Sequence, residues 1–322
     1  LGPLGGDPSV DLPVTDCFGG APANVACALS RLGADVSFIG SLGNDDFGKS
    51  FKKLLIQRGI NITGLQQDNL RPTRIVLVRR DDGGERSFEG FKGDKGLGFA
   101  DQAIAREQII KDWPMVIDQA QWLVVGTIPL ASEISSNAFL WCLENAWHDG
   151  IKIALDLNWR PTFWRNEVST LLEPSIMERK KIISIAKKAS LIKLAKEEAQ
   201  WFFKTYNPSQ ISSSLPNKPS VVVTDGSNPV SWLLNNHYGK SFAIIPSSVV
   251  DTTGAGDAFT AGLIHKLISF DLDQINEQIA KEIIKFAIAC GSYVCKGLGA
   301  IDSQPYRKDI DKLLSLSKGG TS

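Results

Sequence analysis

The sequence predicts an α/β fold: a mainly parallel sheet with helices on both faces, a three-layer α/β/α arrangement, and a small β lid. Three observations lead there. Short, nearly continuous apolar runs recur along the chain. Each is followed by a longer stretch with helical periodicity. One segment breaks the alternation with two strand patterns in succession.

In chain order, Gly19-Gly20-Ala21-Pro22-Ala23 reads as a tight turn of small residues. Asn24 then stands at the start of a helix whose apolar face is Val25, Ala28, Leu29 and Leu32. VSFIG, 36 to 40, is a strand leading to a helix from Asp46 to Arg58, with Phe51, Leu54 and Leu55 on one side. TRIVLVRRDDGGERSFEGF, 73 to 91, reads as two strands around a DDGG turn. With no crossover helix, this hairpin falls outside a parallel sheet and is placed as a flap. An ordinary surface hairpin explains the same residues; beside a ligand crevice it would exclude water. WLVVG (122 to 126), KIALDLN (152 to 158), ASLIKLA (189 to 195) and PSVVVTDG (219 to 226) are further strands. ISSNAFLWCLENAWHDG and KEEAQWFF read as helices between them. Such sheets place ligands at the carboxyl ends of their strands.

Composition excludes several classes. Thirty-five basic residues balance thirty-five acidic ones, and no basic run argues for nucleic acid or an anionic membrane. No apolar stretch approaches the ~20 residues of a membrane span. The five cysteines form no Cys-x-x-Cys, so a disulfide framework or zinc site is not expected. A reducing compartment, cytoplasm or plastid stroma, fits best, and secretion is not expected. The three histidines are far apart in sequence and read as structural or surface residues.

VVDTTGAGDAFTAGLIHKL, 249 to 267, carries the chemistry. An extended run ends in the Gly254-Ala255-Gly256 turn, and a helix with Phe259, Leu263 and Leu267 on one face follows. The N–H groups of Gly254, Ala255, Gly256 and Asp257 would sit at a helix N-terminus, where free donors and the dipole favour an anion. A carboxylate there repels phosphate. It becomes useful where a hydroxyl must lose its proton while attacking that phosphate. A simple helix cap is the bland alternative for Asp257. For Asn24 the choice lies between a ligand of sugar hydroxyls and a cap or packed turn.

GNDDFGKS, 43 to 50, spells a phosphate-binding P-loop. Asp45 and Asp46 argue against it, because two carboxylates in a phosphate cradle repel the ligand. Asp45 or Asp46 is expected to cap the following helix instead.

GGAPANVACALSRLG with Gly43 downstream, and DTTGAGDAFTAG, together resemble the two signatures of the PfkB, or ribokinase-like, carbohydrate kinases. The likeness covers nearly the whole chain. GGAPANVA is similar to fructokinases, and DLNWRPTFW, 156 to 164, to their plant and cyanobacterial branch. The resemblance implies one kinase domain over 1–322, with a lid formed mainly by about 71–96 and part of 1–18. It implies ATP-dependent phosphorylation of a sugar, fructose first, with Mg²⁺. Asp257 would be the base, and Gly254, Ala255 and Gly256 the anion hole. Gly20 and Asn24 would contact the sugar, and Arg160 the phosphates. Lys193, Thr224 and Gly226 would line the nucleotide cleft, with ACGSYVCKGLGA, 289 to 300, on the adenine side. Glu198 would act on Mg²⁺ through water. Asp251, Thr253 and Gly299 match a monovalent-cation site, K⁺ being the ion. Sugar and ATP are the implied partners, and a homodimer through the lid is one assembly the family forms.

The sequence departs from that pattern at three places. Family chains open on a strand with an Asp for sugar hydroxyls; this chain begins after that point, and Asp7 and Asp11 do not match. In AKEE, 195 to 198, Ala195 stands at the Asn position of Asn-x-x-Glu. Pro229 replaces a glycine in the nucleotide loop, which it is expected to stiffen. These departures keep open a weakly active or inactive fructokinase-like binding protein, and a kinase for another sugar or nucleoside.

Overall fold

A computed structural model describes residues 17–80, 86–165, 172–246 and 248–316. In chain order the elements are α1 (Ala21–Leu32), β1 (Gly40–Gly43), α2 (Asp46–Gln57), β2 (Leu65–Asp68), β3 (Ile75–Arg80), β4 (Arg86–Lys92), α3 (Arg106–Val116) and β5 (Trp122–Val125). Then come α4 (Glu133–His148), β6 (Lys152–Asp156), α5 (Pro161–Trp164), α6 (Ile176–Ala186), β7 (Leu191–Ala195), α7 (Lys196–Phe203), α8 (Pro208–Ser213) and β8 (Ser220–Thr224). The chain closes with β9 (Val230–Leu234), β10 (His237–Ser241), α9 (Ala255–Leu267), α10 (Glu277–Val294) and α11 (Arg307–Leu316).

The main sheet has the order β10-β9-β8-β7-β6-β5. Strands β5 to β8 run parallel, and β9 and β10 add an antiparallel edge. Strand alternation sorts the side chains between two cores. Ala154, Leu191 and Val222 face α1, α9 and α10. Ile153, Leu155, Ile192, Leu194, Val221 and Val223 face the opposite layer, with Ile182 of α6, Phe202 of α7 and Ile211 of α8. Both faces being covered explains why these strands read as continuous apolar runs.

Two expectations shift. The segment 36–40 contributes an isolated bridge, Ser37 to Asn61, and the ladder with β2 starts only at Gly40. The antiparallel hairpin β9–β10 was not anticipated; Trp232 and Leu234 alternate inward there, while Ser231 and Leu233 are less covered. Pro229 immediately precedes β9, after a turn closed by Asn228 N–H donating to the Asp225 carbonyl (2.8 Å). At the start of a strand its missing N–H costs no ladder bond.

The hairpin at 73 to 91 is present, with β3 pairing β4 antiparallel across a bulge at Leu77 and Val78. Its DDGG turn, and residues 1–16 of the expected lid, lie outside the described residues. Arg74, at the root of β3, holds the hairpin down. Its guanidinium lies 4.6, 4.5 and 4.9 Å from the ring centres of Phe91, Phe99 and Phe163 and pairs with Asp101 at 3.0 Å. Phe163 belongs to α5, so the hairpin packs against the turn that follows Arg160. Among the described residues no helix is long and apolar enough to cross a membrane. Among the described residues the cysteines form no disulfide.

Candidate active site

Helix α9 starts at a residue that can only be glycine. Gly254 has φ +80°, and a Cβ there would lie 2.7 Å from Ala300 Cβ and 2.9 Å from its Cα. The Ala255 N–H turns back to the Thr252 carbonyl (3.2 Å), so it is less available to a ligand than expected. The N–H groups of Gly256 and Asp257 have no acceptor among the described residues, as the first turn of a helix requires. Open donors of this kind are what an anion cradle at a helix N-terminus uses.

Asp257 stands half-buried in that first turn. Asn24, buried in the first turn of α1, donates from Nδ2 to Asp257 Oδ2 at 2.7 Å. The two signature segments, 233 residues apart, therefore meet at the Asp257 carboxylate. Burial pushes the Asp257 carboxyl up to about 6. The Asn24 hydrogen bond opposes that shift, nearby Asp156 adds to it, and Lys193 and Arg160 oppose it. A carboxylate with this value is ionised at neutral pH yet basic enough to take a proton. Gly20, with φ +114°, caps α1 and its carbonyl accepts from Asn24 N–H (2.9 Å).

Behind the cradle lies a buried ionic group. Register pairs Asp156, at the carboxyl end of β6, with Lys193 in the middle of β7. Lys193 Nζ lies 3.2 Å from both Asp156 oxygens, and Thr260 Oγ1 of α9 donates to Asp156 Oδ2 at 2.7 Å. A Cβ on Gly256 would be 3.2 Å from Lys193 Nζ, so the ammonium sits directly beneath the α9 N-terminus. Desolvation pulls the Lys193 value down, but Asp156, Glu198 and Asp257 outweigh it and hold the ammonium charged. Asp156 and Thr260 are neighbours of the candidate site that sequence reasoning missed. The available signal was a charged residue set in an otherwise apolar run: Asp156 ending β6 and Lys193 in the middle of β7.

Arg160 is exposed at the N-cap of α5, where its Nη1 donates to the Trp159 carbonyl (3.0 Å). Thr224 ends β8 beside Ala195 in register, and Gly226 follows in the β8–β9 turn with φ +55°. Both stand at the carboxyl edge of the sheet, while Lys193 lies deeper. Glu198 is buried and bound at both oxygens: Oε1 accepts from Trp159 N–H (2.6 Å) and Oε2 from Ala195 N–H (2.7 Å). Ala195 offers no side-chain acceptor, so only the glutamate half of a capping box exists at α7. Desolvation raises the Glu198 carboxyl above its ordinary value.

Asp251, Thr253 and Gly299 do come together. Asp251 Oδ1 accepts from Thr253 N–H (2.7 Å), and Oδ2 from Gly299 N–H (3.0 Å). Thr253 Oγ1 also donates to Asp251. Segment 289 to 300 reaches the same loop, its Cys295 carbonyl accepting from Val250 N–H (2.8 Å). Among the described residues no cluster of His, Cys, Asp and Glu could by itself hold a metal ion.

GNDDFGKS lies elsewhere and is no cradle. Asp45 Oδ1 caps α2 by accepting from Gly48 N–H (2.7 Å), and Oδ2 accepts from Thr73 N–H (2.7 Å). The carboxylate takes the donors that a phosphate would need. A Cβ on Gly48 would meet the Gly43 carbonyl at 2.1 Å, so the segment is closed on itself.

A mainly parallel sheet with open helix N–H groups at its carboxyl edge, and an aspartate beside them, is an arrangement suited to phosphoryl transfer to an alcohol. The chain belongs to the pfkB family of carbohydrate kinases, matched over residues 14–307. It is 32% identical to a fructokinase of Escherichia coli over 318 residues, covering 95% of this chain and 96% of that one. It is 31% identical to probable fructokinase-4 of Arabidopsis thaliana over 303 residues, covering 92% and 87%. Among solved structures, the fructokinase of Vibrio cholerae O395 with bound fructose, ADP and calcium ion superposes with a TM-score of 0.78 at 25% identity, covering 97% and 95%.

Proposed function

We propose that the chain is an ATP-dependent fructokinase, converting fructose and ATP to fructose 6-phosphate and ADP. The observation that carries this reading is the Asp257 carboxylate, held by Asn24 beside the open N–H groups of α9. A sugar hydroxyl against Asp257 loses its proton to the carboxylate as its oxygen attacks the γ-phosphorus. The bond from phosphorus to the bridging oxygen of ADP breaks. Charge on the transferring oxygens meets the Gly256 and Asp257 N–H groups, the α9 dipole and the ammonium of Lys193 behind them. Arg160, exposed and close enough to lower the Asp257 value, is placed to meet the phosphates from the open side.

Thr224 and Gly226 border the nucleotide, and Gly20 and Asn24 the sugar. Mg²⁺ would be held mainly by nucleotide phosphates, as its chemistry favours, with Glu198 acting through water; bound there it neutralises phosphate charge. Asp251, Thr253 and Gly299 are the residues for K⁺, which would steady the loop entering α9. The chain forms one kinase domain, with β3–β4 as its lid and a second copy meeting it there. Cysteines without disulfides suit a reducing compartment, cytoplasm or plastid stroma. The test is sugar-dependent ADP formation by the full chain and by Asp257→Asn. Fructose-dependent turnover that Asp257→Asn lowers by a thousandfold or more supports the reading. No turnover with fructose, other sugars or nucleosides refutes it and leaves a binding protein.

A further inference from the structure

The segment after α10 lies between the two halves of the site, and one buried amide joins them. Gln304 is 2% exposed. Its Nε2 donates both hydrogens, to the Asn24 carbonyl and to the Ala300 carbonyl, each at 2.8 Å. Asn24 is the residue that holds Asp257, and Ala300 is the residue against which Gly254 packs. Next to Ala300, Gly299 N–H reaches Asp251 at the entry to α9. Farther along α1, Arg31 Nη1 donates to the backbone carbonyls of Asp302 and Gln304. The strap 299–304 is therefore tied to α1 near both ends of that helix.

The Gln304 Oε1 atom is buried with no hydrogen-bond partner among the described residues. An unsatisfied buried acceptor is destabilising. A leucine of similar volume would fill the space without one, so this side chain is useful for its two N–H groups. We infer that Gln304 is a positioning residue for phosphoryl transfer: it fixes Asn24 against the Gly254 loop, and so maintains the Asn24–Asp257 hydrogen bond. The inference rests on Asp257 being the base.

The experiment measures kcat, KM and the pH profile of kcat/KM for Gln304→Leu, Gln304→Met, Asn24→Ala and the double variant Asn24→Ala/Gln304→Leu, with thermal unfolding in parallel. Asp257 is faced by the Asn24 amide from α1, by Asp156 and Lys193 from β6 and β7, and by Arg160 after β6. Only the first of these is tied to Gln304. Losing it releases the one hydrogen bond that lowers the Asp257 value, so the acid limb moves to higher pH. Gln304→Leu is expected to lower kcat about tenfold or more, to leave KM for ATP within about threefold, and to shift the acid limb as Asn24→Ala does. The double variant is expected to be no worse than Asn24→Ala alone. Gln304→Met, which keeps the length and lacks the donors, gives the same shift if the leucine variant folds poorly. An unmoved limb with losses that add, or a lower Tm with kcat intact, overturns the inference while Asp257→Asn stays inactive. Turnover retained by Asp257→Asn overturns the base assignment instead.

Discussion

Lys193→Met separates a structural from a nucleotide-binding role for the buried ammonium. In the structure Lys193 Nζ faces both Asp156 oxygens at 3.2 Å, and the only other donor to Asp156 among the described residues is Thr260 Oγ1. Removing one partner of a buried pair leaves an uncompensated charge, at a cost of about 3 to 5 kcal/mol. An unfolding entropy of about 2.1 cal/mol/K per residue over 322 residues is roughly 0.7 kcal/mol/K, so Tm falls by about 4 to 7 °C. Asp156→Asn in the same chain removes the stranded charge and recovers more than half of the loss. Differential scanning fluorimetry on the two variants reads this, and initial rates at varied ATP read the site. Because the ammonium sits beneath the cradle, kcat falls more than KM for ATP rises. A Tm within about 1 °C of wild type, together with a tenfold higher KM for ATP, would refute the pairing and place Lys193 on the nucleotide.

Gly254→Ala is expected to cost about 1 to 2 kcal/mol for the left-handed conformation alone. It must also push Ala300, 2.7 Å from the new Cβ, so turnover falls at least tenfold; Ala300→Gly in the same chain restores only part, and steady-state rates check both. The Asp257 carboxyl, at about 6 when folded and near 3.9 when unfolded, gives an unusual stability trend. Between about pH 4 and 6 the folded chain binds a proton that the unfolded chain lacks, so this group adds stability as pH falls. The urea midpoint of Asp257→Asn should exceed wild type at pH 7, and the gap should close toward pH 4; a gap that widens contradicts the burial argument. Lys49→Ala leaves KM for ATP unchanged within about twofold, since GNDDFGKS is a capped helix start. A loss of nucleotide binding, by titration calorimetry, would reverse that assignment.

The sequence by itself determined the layers and singled out one candidate carboxylate. Strands covered on both faces must be apolar throughout, so 152 to 156, 191 to 195 and 220 to 224 were legible as a parallel sheet. The tight turn at Gly254 and the helix start after it were legible from their small residues, and the cap at Asp45 because two carboxylates cannot cradle a phosphate. Local patterns could not say which distant groups meet. The Asn24 amide reaches Asp257 across 233 residues, and Asp156 meets Lys193 only because parallel register aligns β6 with β7. Glu198 accepts from two backbone N–H groups, one of them Trp159, in a loop 39 residues earlier that no local pattern links to it. Gln304 carried no pattern at all, since a lone glutamine in a loop has no period and no motif. Its place between Asn24 and Ala300 depends on how α1 and α9 pack, and that packing is decided by the shared core rather than by any local stretch of chain.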